Sequence, residues 1–474
     1  MTLLAFIALY LVASLGIGIY AAMRVKSTAD YALAGRSLPL LVIIATTFAT
    51  WFGSETVLGI PSKFVEGGFR NTVEDPFGAG LCLVLVGMFF ARKLYKMDLL
   101  TIGDFYRRRY GRGVEIFSSI VILISYLGWV AAQITALGLV FNLLSAGAIS
   151  VSVGMAIGTA VVLVYTLFGG MWSVAMTDTF QMAIIIVGLS LIAIFAADQA
   201  GGASRVIEYA QSRDMFRFFP DGGVHDWLFW AGAAITIMIG SIPQQDVFQR
   251  VMSAKDADTS VKGPIIGGIS YMIFALVPIF IGLSAFLVMP EAANTLLKQD
   301  SQKILPTLVL EHMPVWLQVA FFGALLAAIM STASAALLAP STTFVENVLK
   351  NFVNMSDKRE LFYMRMTVIV FTTCVLIYSI NNEGTPIYEL VSKAYQFPVV
   401  GAFWPLVCGL YWRRSTTQGA IWSIVLGMGT WLVLERTPLG QDFPAVLGGF
   451  LMAALGMFVG SLVSAKETAR PQPA

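Results

Sequence analysis

Apolar residues run along this chain in stretches of about 20 or more, parted by short polar loops, the spacing required of helices that cross a ~30 Å hydrocarbon layer. Thirteen stretches are predicted to be membrane spans, over residues 2–23, 38–62, 75–97, 114–142, 147–168, 174–198, 225–248, 264–290, 314–348, 361–381, 386–412, 415–434 and 443–464. The alternating strands of a membrane barrel, ~10 residues each, do not occur in the pattern, so the predicted fold class is all-α and polytopic. Only Gly169-Gly170-Met171 parts the fifth and sixth spans, and the run from 147 to 198 can be divided elsewhere. No hydrophilic segment is long enough for a soluble domain, so the expectation is one transmembrane domain over 1–474. The first span follows directly on Met1 without a basic leader or a small-residue cleavage site, the pattern of a retained span rather than a signal peptide.

Two spans carry helix breakers at comparable depth. Span two contains Trp51-Phe52-Gly53-Ser54-Glu55, and span seven contains Gly240-Ser241-Ile242-Pro243. Proline removes a backbone donor and glycine loosens the helix. Backbone groups freed in this way are tolerated in a bilayer only inside protein or beside a cavity. Two ordinary kinks are one reading. The other rests on spacing: the breaks lie five spans apart, and five spans invert the topology, as two inverted five-helix repeats around a midplane binding site require. On that reading repeat one covers about 38–198 and repeat two about 225–412, preceded by the first span and followed by two extra spans over about 415–464.

Composition agrees with the pattern. Only 12% of the 474 residues are charged, about half the share of a soluble domain, and the mean hydropathy is +0.78. A net charge of +2 without a long basic run does not suggest nucleic acid as a partner, and no obligatory protein partner is evident. Cys82, Cys374 and Cys408 lie far apart inside apolar runs, with neither metal-ligand spacing nor a disulfide framework. His225 and His312 fall near predicted loops. Placing the amino terminus outside puts most of the 30 Lys and Arg residues in cytoplasmic loops, Arg24, Lys26, Arg107, Arg108, Arg109, Arg413 and Arg414 among them. The positive-inside rule therefore predicts an inner-membrane protein with its amino terminus outside and its carboxyl terminus in the cytoplasm.

Several residues inside the spans can carry chemistry. Span nine holds Ala327-Ala328-Ile329-Met330-Ser331-Thr332-Ala333-Ser334-Ala335. Small residues let helices approach closely; alternatively, neutral hydroxyls beside freed carbonyls form a shell of hard oxygens, which suits a cation such as sodium. Asp178 lies inside span six, where a charge costs several kcal/mol unless paired or hydrated; it ties a neighbouring helix or meets an ion. Glu55 and Asp246 flank the two breaks. Asp246 lies near Gln249-Arg250, which favours an interfacial salt bridge. Glu55, two residues after Gly53, is placed to balance a cationic group on a solute or to hold the broken helix. Trp51 adjoins the first break, and Trp129 has Tyr126 and Gln133 on its own helical face. Aromatic faces attract ammonium groups. Trp227 and Trp412, near span ends, read as interfacial anchors. Neither a nucleophile elbow nor a phosphate loop is found, so no catalytic residue is assigned.

These stretches resemble the sodium:solute symporter family. The resemblance covers nearly the whole chain and is carried by Asp30-Tyr31-Ala32-Leu33-Ala34-Gly35-Arg36-Ser37-Leu38-Pro39, by Thr101-Ile102-Gly103-Asp104-Phe105-Tyr106 with Arg109-Tyr110-Gly111, by Gly169-Gly170 with Thr177-Asp178-Thr179-Phe180-Gln181, and by Gln249-Arg250. It implies LeuT-like inverted repeats from spans two to six and seven to eleven, with Na+ as the coupling ion and no other metal. The main sodium site implied comprises the carbonyls of Ala49, Phe52 and Ala328 with the hydroxyls of Ser331 and Thr332. Members with a second sodium would match Asp178, Ser331 and Ser334, and they often have serine where this chain has Ala335. The surroundings of Trp51 and Trp129 are most similar to the choline-transporter branch, whose aromatic cage includes a tryptophan at the position of Gln244.

The expected function is therefore sodium-coupled import of a small polar solute, with an amine-bearing or zwitterionic compound preferred. The expected pocket comprises Trp51, Glu55, Trp129, Gln133, Gln244, Tyr395 and Gln396. Carboxylate or sugar symport, proton coupling through Glu55 or Asp178, and a solute-sensing transceptor of the same fold are the alternatives. The last is disfavoured by the absence of a long cytoplasmic signalling domain in the 474 residues.

Overall fold

A computed structural model describes residues 2–464. Each predicted stretch is helical there, but not all are single spans. Among the described residues, eight helices are long and apolar enough to cross a membrane, and two bent pairs, each counted as one span, raise the number to ten. The count of thirteen is therefore not reached by that criterion, for reasons visible in the backbone. The stretch over 147–168 yields the short apolar helix Val151–Val164. Span eleven is divided into Ile387–Gly401 and Phe403–Tyr411 at Ala402, where φ is −130° and ψ −29°. Within the first helix, Thr2–Ala22, the qualifying apolar segment is Val12–Ala21.

Spans five and six form one helical run, Val151–Gln199, interrupted at Gly170 with φ 50° and ψ −143°. That left-handed conformation favours glycine. A Cβ there would also lie 2.5 Å from the ring and the carbonyl oxygen of Tyr31, so close approach and backbone conformation demand the same residue.

Span nine, Val315–Thr343, is the axis of the molecule. Its apolar window is 94% buried, against 22% for span ten, Asp357–Asn381. Span nine packs on span six and on span four, Arg112–Leu144; span eleven packs on span four, and span eight on the first half of span two. Small residues serve these contacts: Gly188 faces the Ala320 carbonyl, and Gly128 the Leu390 carbonyl. Spans twelve and thirteen, Thr417–Arg436 and Ala445–Val463, pair at the periphery.

The loops alternate between two faces. On one face, the start of span two meets the end of span seven through a parallel bridge between Leu38 and Ala254, with Leu38 N donating to the Ser253 carbonyl at 3.0 Å. Arg36 donates there to the carbonyls of Tyr95 and Leu99, and Arg109 to Ser415. On the other face, Phe69 N donates to the Met215 carbonyl at 2.9 Å, Ile387 N to Gln302, and His225 meets the Gln441 carbonyl.

Candidate functional site

Both expected breaks exist. Span two is helical over Leu40–Trp51, leaves the helical region at Phe52 with ψ 70°, and continues from Glu55 at 54° to its first half. Span seven runs over Val224–Gly240, passes Pro243 and an extended Gln244, and continues over Gln245–Met252 at 45°. Phe52 N reaches the Phe48 carbonyl at 3.3 Å and Gly53 N the Trp51 carbonyl at 2.7 Å, so the regular i→i−4 ladder is interrupted and terminal carbonyls turn toward other partners.

Span nine lies across the first break. The Thr332 hydroxyl donates to the Ala49 carbonyl at 3.2 Å. Gly53 fits between them: a Cβ would stand 2.7 Å from Thr332 Oγ1 and 2.9 Å from Gln133 Oε1. Ala49, Phe52, Ala328, Ser331 and Thr332 are all buried, and Ala328 lies one helical turn before Thr332. The Thr332 hydroxyl and the Ala49 carbonyl thus meet beside an interrupted backbone, oxygen donors of the kind that suit a hard monovalent cation.

Asp178 sits in a buried polar knot. Its two carboxylate oxygens accept from Ser331 Oγ and Thr46 Oγ1, each at 2.5 Å. The Arg250 guanidinium lies 3.6 Å from it and 3.9 Å from Asp246, and all three side chains are at most 2% exposed. Arg250 Nε also donates to Thr46 at 3.1 Å. Asp246 accepts from Tyr126 at 2.6 Å; it is buried in the bundle rather than interfacial, because Tyr126 and Arg250 together satisfy it. Ser334 Oγ donates to the Ser331 carbonyl at 2.9 Å, a local bond that takes its hydroxyl proton away from Asp178.

Between the two breaks stand three mutually packed rings. Trp51 and Trp129 have centroids 5.6 Å apart, Trp51 and Tyr395 5.3 Å, and Trp129 and Tyr395 5.5 Å. Each ring carries a buried polar atom without a hydrogen-bond partner: both indole nitrogens and the Tyr395 hydroxyl. Gln133 Oε1 accepts the Ser54 amide at 3.0 Å, while its Nε2 has no partner. Gln244 Nε2 donates to Ser125 at 2.7 Å, one turn before Trp129, while its Oε1 has no partner. Neither carboxylate oxygen of Glu55 has a partner, and the residue is wholly buried. Unmet donors and acceptors in buried surroundings are costly, and those around the aromatic cluster make it the candidate solute site.

Gln396 does not join this cluster. It accepts from Trp431 Nε1 at 2.8 Å and lines an outer cavity with Glu74, Phe229 and Glu435. Adjacent helical residues point about 100° apart, so Tyr395 and Gln396 cannot both face the rings. Three residues near the site, Glu74, Asp75 and Tyr271, carry no breaker or motif signal in the sequence, whereas Arg250 belongs to the Gln249-Arg250 motif. Tyr271 donates to Asp75 and shares a 3.0 Å hydrogen bond with Thr56.

A profile described as the sodium:solute symporter family matches residues 31–427. The chain belongs to the sodium:solute symporter family. It is 28% identical to the high-affinity choline transporter 1 of Homo sapiens over 447 residues, covering 90% of this chain and 75% of that protein. It is also 28% identical to the high-affinity proline transporter of Bacillus subtilis over 468 residues, covering 94% and 95%. Among solved structures, a Na+-coupled sialic acid symporter in a substrate-bound outward-open state superposes with a TM-score of 0.84 at 20% identity, covering 98% of both chains. This symporter is accordingly a sodium-coupled membrane transporter of LeuT-like, all-α fold, and not an enzyme.

Motifs that carried the resemblance turn out to build the frame. Thr101 and Asp104 form a reciprocal cap at the start of helix Ile102–Tyr110, and Thr101 also donates to Asn347 at 2.7 Å. Arg109 and Tyr110 fasten that helix to the end of span eleven through Ser415 and the Pro405 carbonyl. Gln181 donates to Tyr10 at 2.9 Å. In this symporter, then, Asp178, Gln249 and Arg250 are motif residues that reach the centre of the bundle, Gln249 donating to Thr342 of span nine.

Proposed function

We propose that this symporter imports a small amine-bearing or zwitterionic solute, held by Trp51, Glu55, Trp129, Gln133, Gln244 and Tyr395, together with sodium held by the carbonyls of Ala49, Phe52 and Ala328 and the hydroxyls of Ser331 and Thr332. One observation carries the reading: the buried ring cluster presents unmet donors on Trp51, Trp129, Tyr395 and Gln133 beside unmet acceptors on Glu55 and Gln244. A zwitterion satisfies both sets at once. An ammonium meets the ring faces, worth about 0.5–2 kcal/mol per ring, and the Glu55 carboxylate. The amide oxygen of Gln244 favours a nitrogen that still bears N–H donors over a quaternary one. Choline and proline, named for two of the relatives, are a cation and a zwitterion of this size class.

Spans two to six and seven to eleven act as inverted repeats around this site, a reading supported by the paired bends of 54° and 45° and by loops that alternate between the faces. The face bearing Arg36, Arg108 and Arg109 is cytoplasmic in an inner membrane, with the amino terminus outside, because most Lys and Arg residues gather there.

The test is a ligand screen by thermal stability of the purified protein in sodium and in potassium, since ligand binding raises apparent stability. Amines or zwitterions are expected to stabilise in sodium. Glu55→Gln is expected to weaken them about tenfold, equivalent to ~1.4 kcal/mol, while leaving neutral analogues little changed. Stabilisation by simple carboxylates or sugars alone would overturn the substrate reading.

A further inference from the structure

Glu55 is not the only uncompensated acid in this part of the bundle. Asp75 and Glu74 are among its electrostatic neighbours, and Glu55 is in turn one of Tyr395's. Asp75 is wholly buried, and although Tyr271 donates to one of its oxygens, the other has no partner. Glu74 is half-buried, has one buried oxygen without a partner, and borders an outer cavity of about 490 Å³ together with Lys63, Asp221 and Tyr388. Among the described residues no Lys or Arg forms an ion pair with any of the three. Lys63 is within electrostatic reach of Glu74, but its ammonium pairs with Glu66 at 3.1 Å, and Arg70 pairs with Asp221.

This arrangement contrasts with the other buried acids of the bundle. Asp178 and Asp246 share Arg250 and accept hydroxyl donors, so their charge is met from within. Nothing internal does this for Glu55 and Asp75. Buried carboxylates without a cation are costly, and an uncompensated group persists where a ligand supplies the missing charge. Glu74 borders the outer cavity and adjoins Asp75 in sequence, and hydrogen bonds from Asp75 through Tyr271 to Thr56 lead on to the residue next to Glu55.

From this geometry we infer that the site takes solutes with two cationic nitrogens, one at the rings and Glu55 and the second at Asp75 and Glu74: a diamine or a diamino acid. The inference rests on the amine reading of the central pocket. A monocation leaves the second subsite unmet; a dication meets both, and attraction between opposite charges in a buried site is far stronger than in water.

Two isosteric pairs test this on the purified protein in sodium: ornithine against norleucine, and 1,4-diaminobutane against pentylamine. In each pair a terminal ammonium replaces a methyl group. In at least one pair the dication is expected to bind about tenfold tighter or more, a difference of ~1.4 kcal/mol. Asp75→Asn keeps an oxygen for Tyr271 and is expected to erase that preference while leaving the monocation's affinity within about twofold, a change of under ~0.5 kcal/mol. Glu74→Gln, at a half-exposed position, is expected to reduce the preference in the same direction, and it serves if Asp75→Asn does not fold. Equal affinities within both pairs, or a preference that survives both substitutions, overturn the inference and leave the amine reading standing. If no amine binds and other solutes do, the amine reading falls and this inference falls with it.

Discussion

Asp178 accepts from Ser331, and Thr332 follows Ser331 on the same helix, yet the two do different work, and their chemistry separates them. Thr332 meets the Ala49 carbonyl across a broken helix, where a hydroxyl can turn to a cation. Asp178 already holds two hydroxyl donors and the Arg250 guanidinium. Arg250 thereby supplies the charge that a second sodium would otherwise bring. Thr332→Ala is expected to raise the sodium concentration for half-maximal binding about tenfold, or ~1.4 kcal/mol, with little loss of stability. Asp178→Asn leaves Arg250 less compensated in the core and is expected to cost about 3 kcal/mol of stability, with the Hill coefficient for sodium staying near one. Sodium titrations paired with melting curves check both; a wild-type melt for Asp178→Asn with a lowered Hill coefficient would instead make Asp178 an ion ligand. At this scale the sequence shows which residues adjoin a breaker, as Trp51 and Glu55 do, and which share a helix face, as Trp129 and Gln133 do. Asp75 and Tyr271 were not legible, since their pairing joins residues 196 apart. Gln396 was misassigned because sequence adjacency to Tyr395 says nothing about which face is inward.

At the scale of elements, Gly53 and Gly170 are two of the places where a helix must not carry a side chain, and for different reasons. Gly53 stands against the oxygens of Thr332 and Gln133, whereas Gly170 combines a left-handed φ of 50° with contact on Tyr31. Gly53→Ala is expected to abolish sodium and solute binding together, because the added methyl pushes the two halves of the site apart. Gly170→Ala is expected to lower the melting temperature, an alanine in this positive-φ conformation costing about 1–3 kcal/mol, while sodium affinity in the folded fraction is retained. Equal effects of the two substitutions on sodium affinity would contradict the separation. Breaks were the most legible elements, because Gly53 and Pro243 interrupt otherwise apolar runs. The division of span eleven at Ala402 was invisible, since Gly401-Ala402-Phe403 continues the apolar pattern and only its backbone angles depart from a helix.

For the molecule as a whole, the apolar pattern foretold an all-helical membrane protein with two broken helices around its centre. Counting spans was less secure, since hydropathy alone does not distinguish one long helix from two short ones. On the proposed reading, sodium bound where spans two and nine meet drives uptake of an amine or zwitterion through the ring cluster. Transport in proteoliposomes tests this. They are loaded with potassium buffer and diluted into sodium or potassium buffer at equal pH and membrane potential, with a solute from the stabilising set. The expected result is accumulation above the external concentration in sodium only, lost in Thr332→Ala at low sodium. Equal accumulation driven by an inward proton gradient without sodium would contradict it.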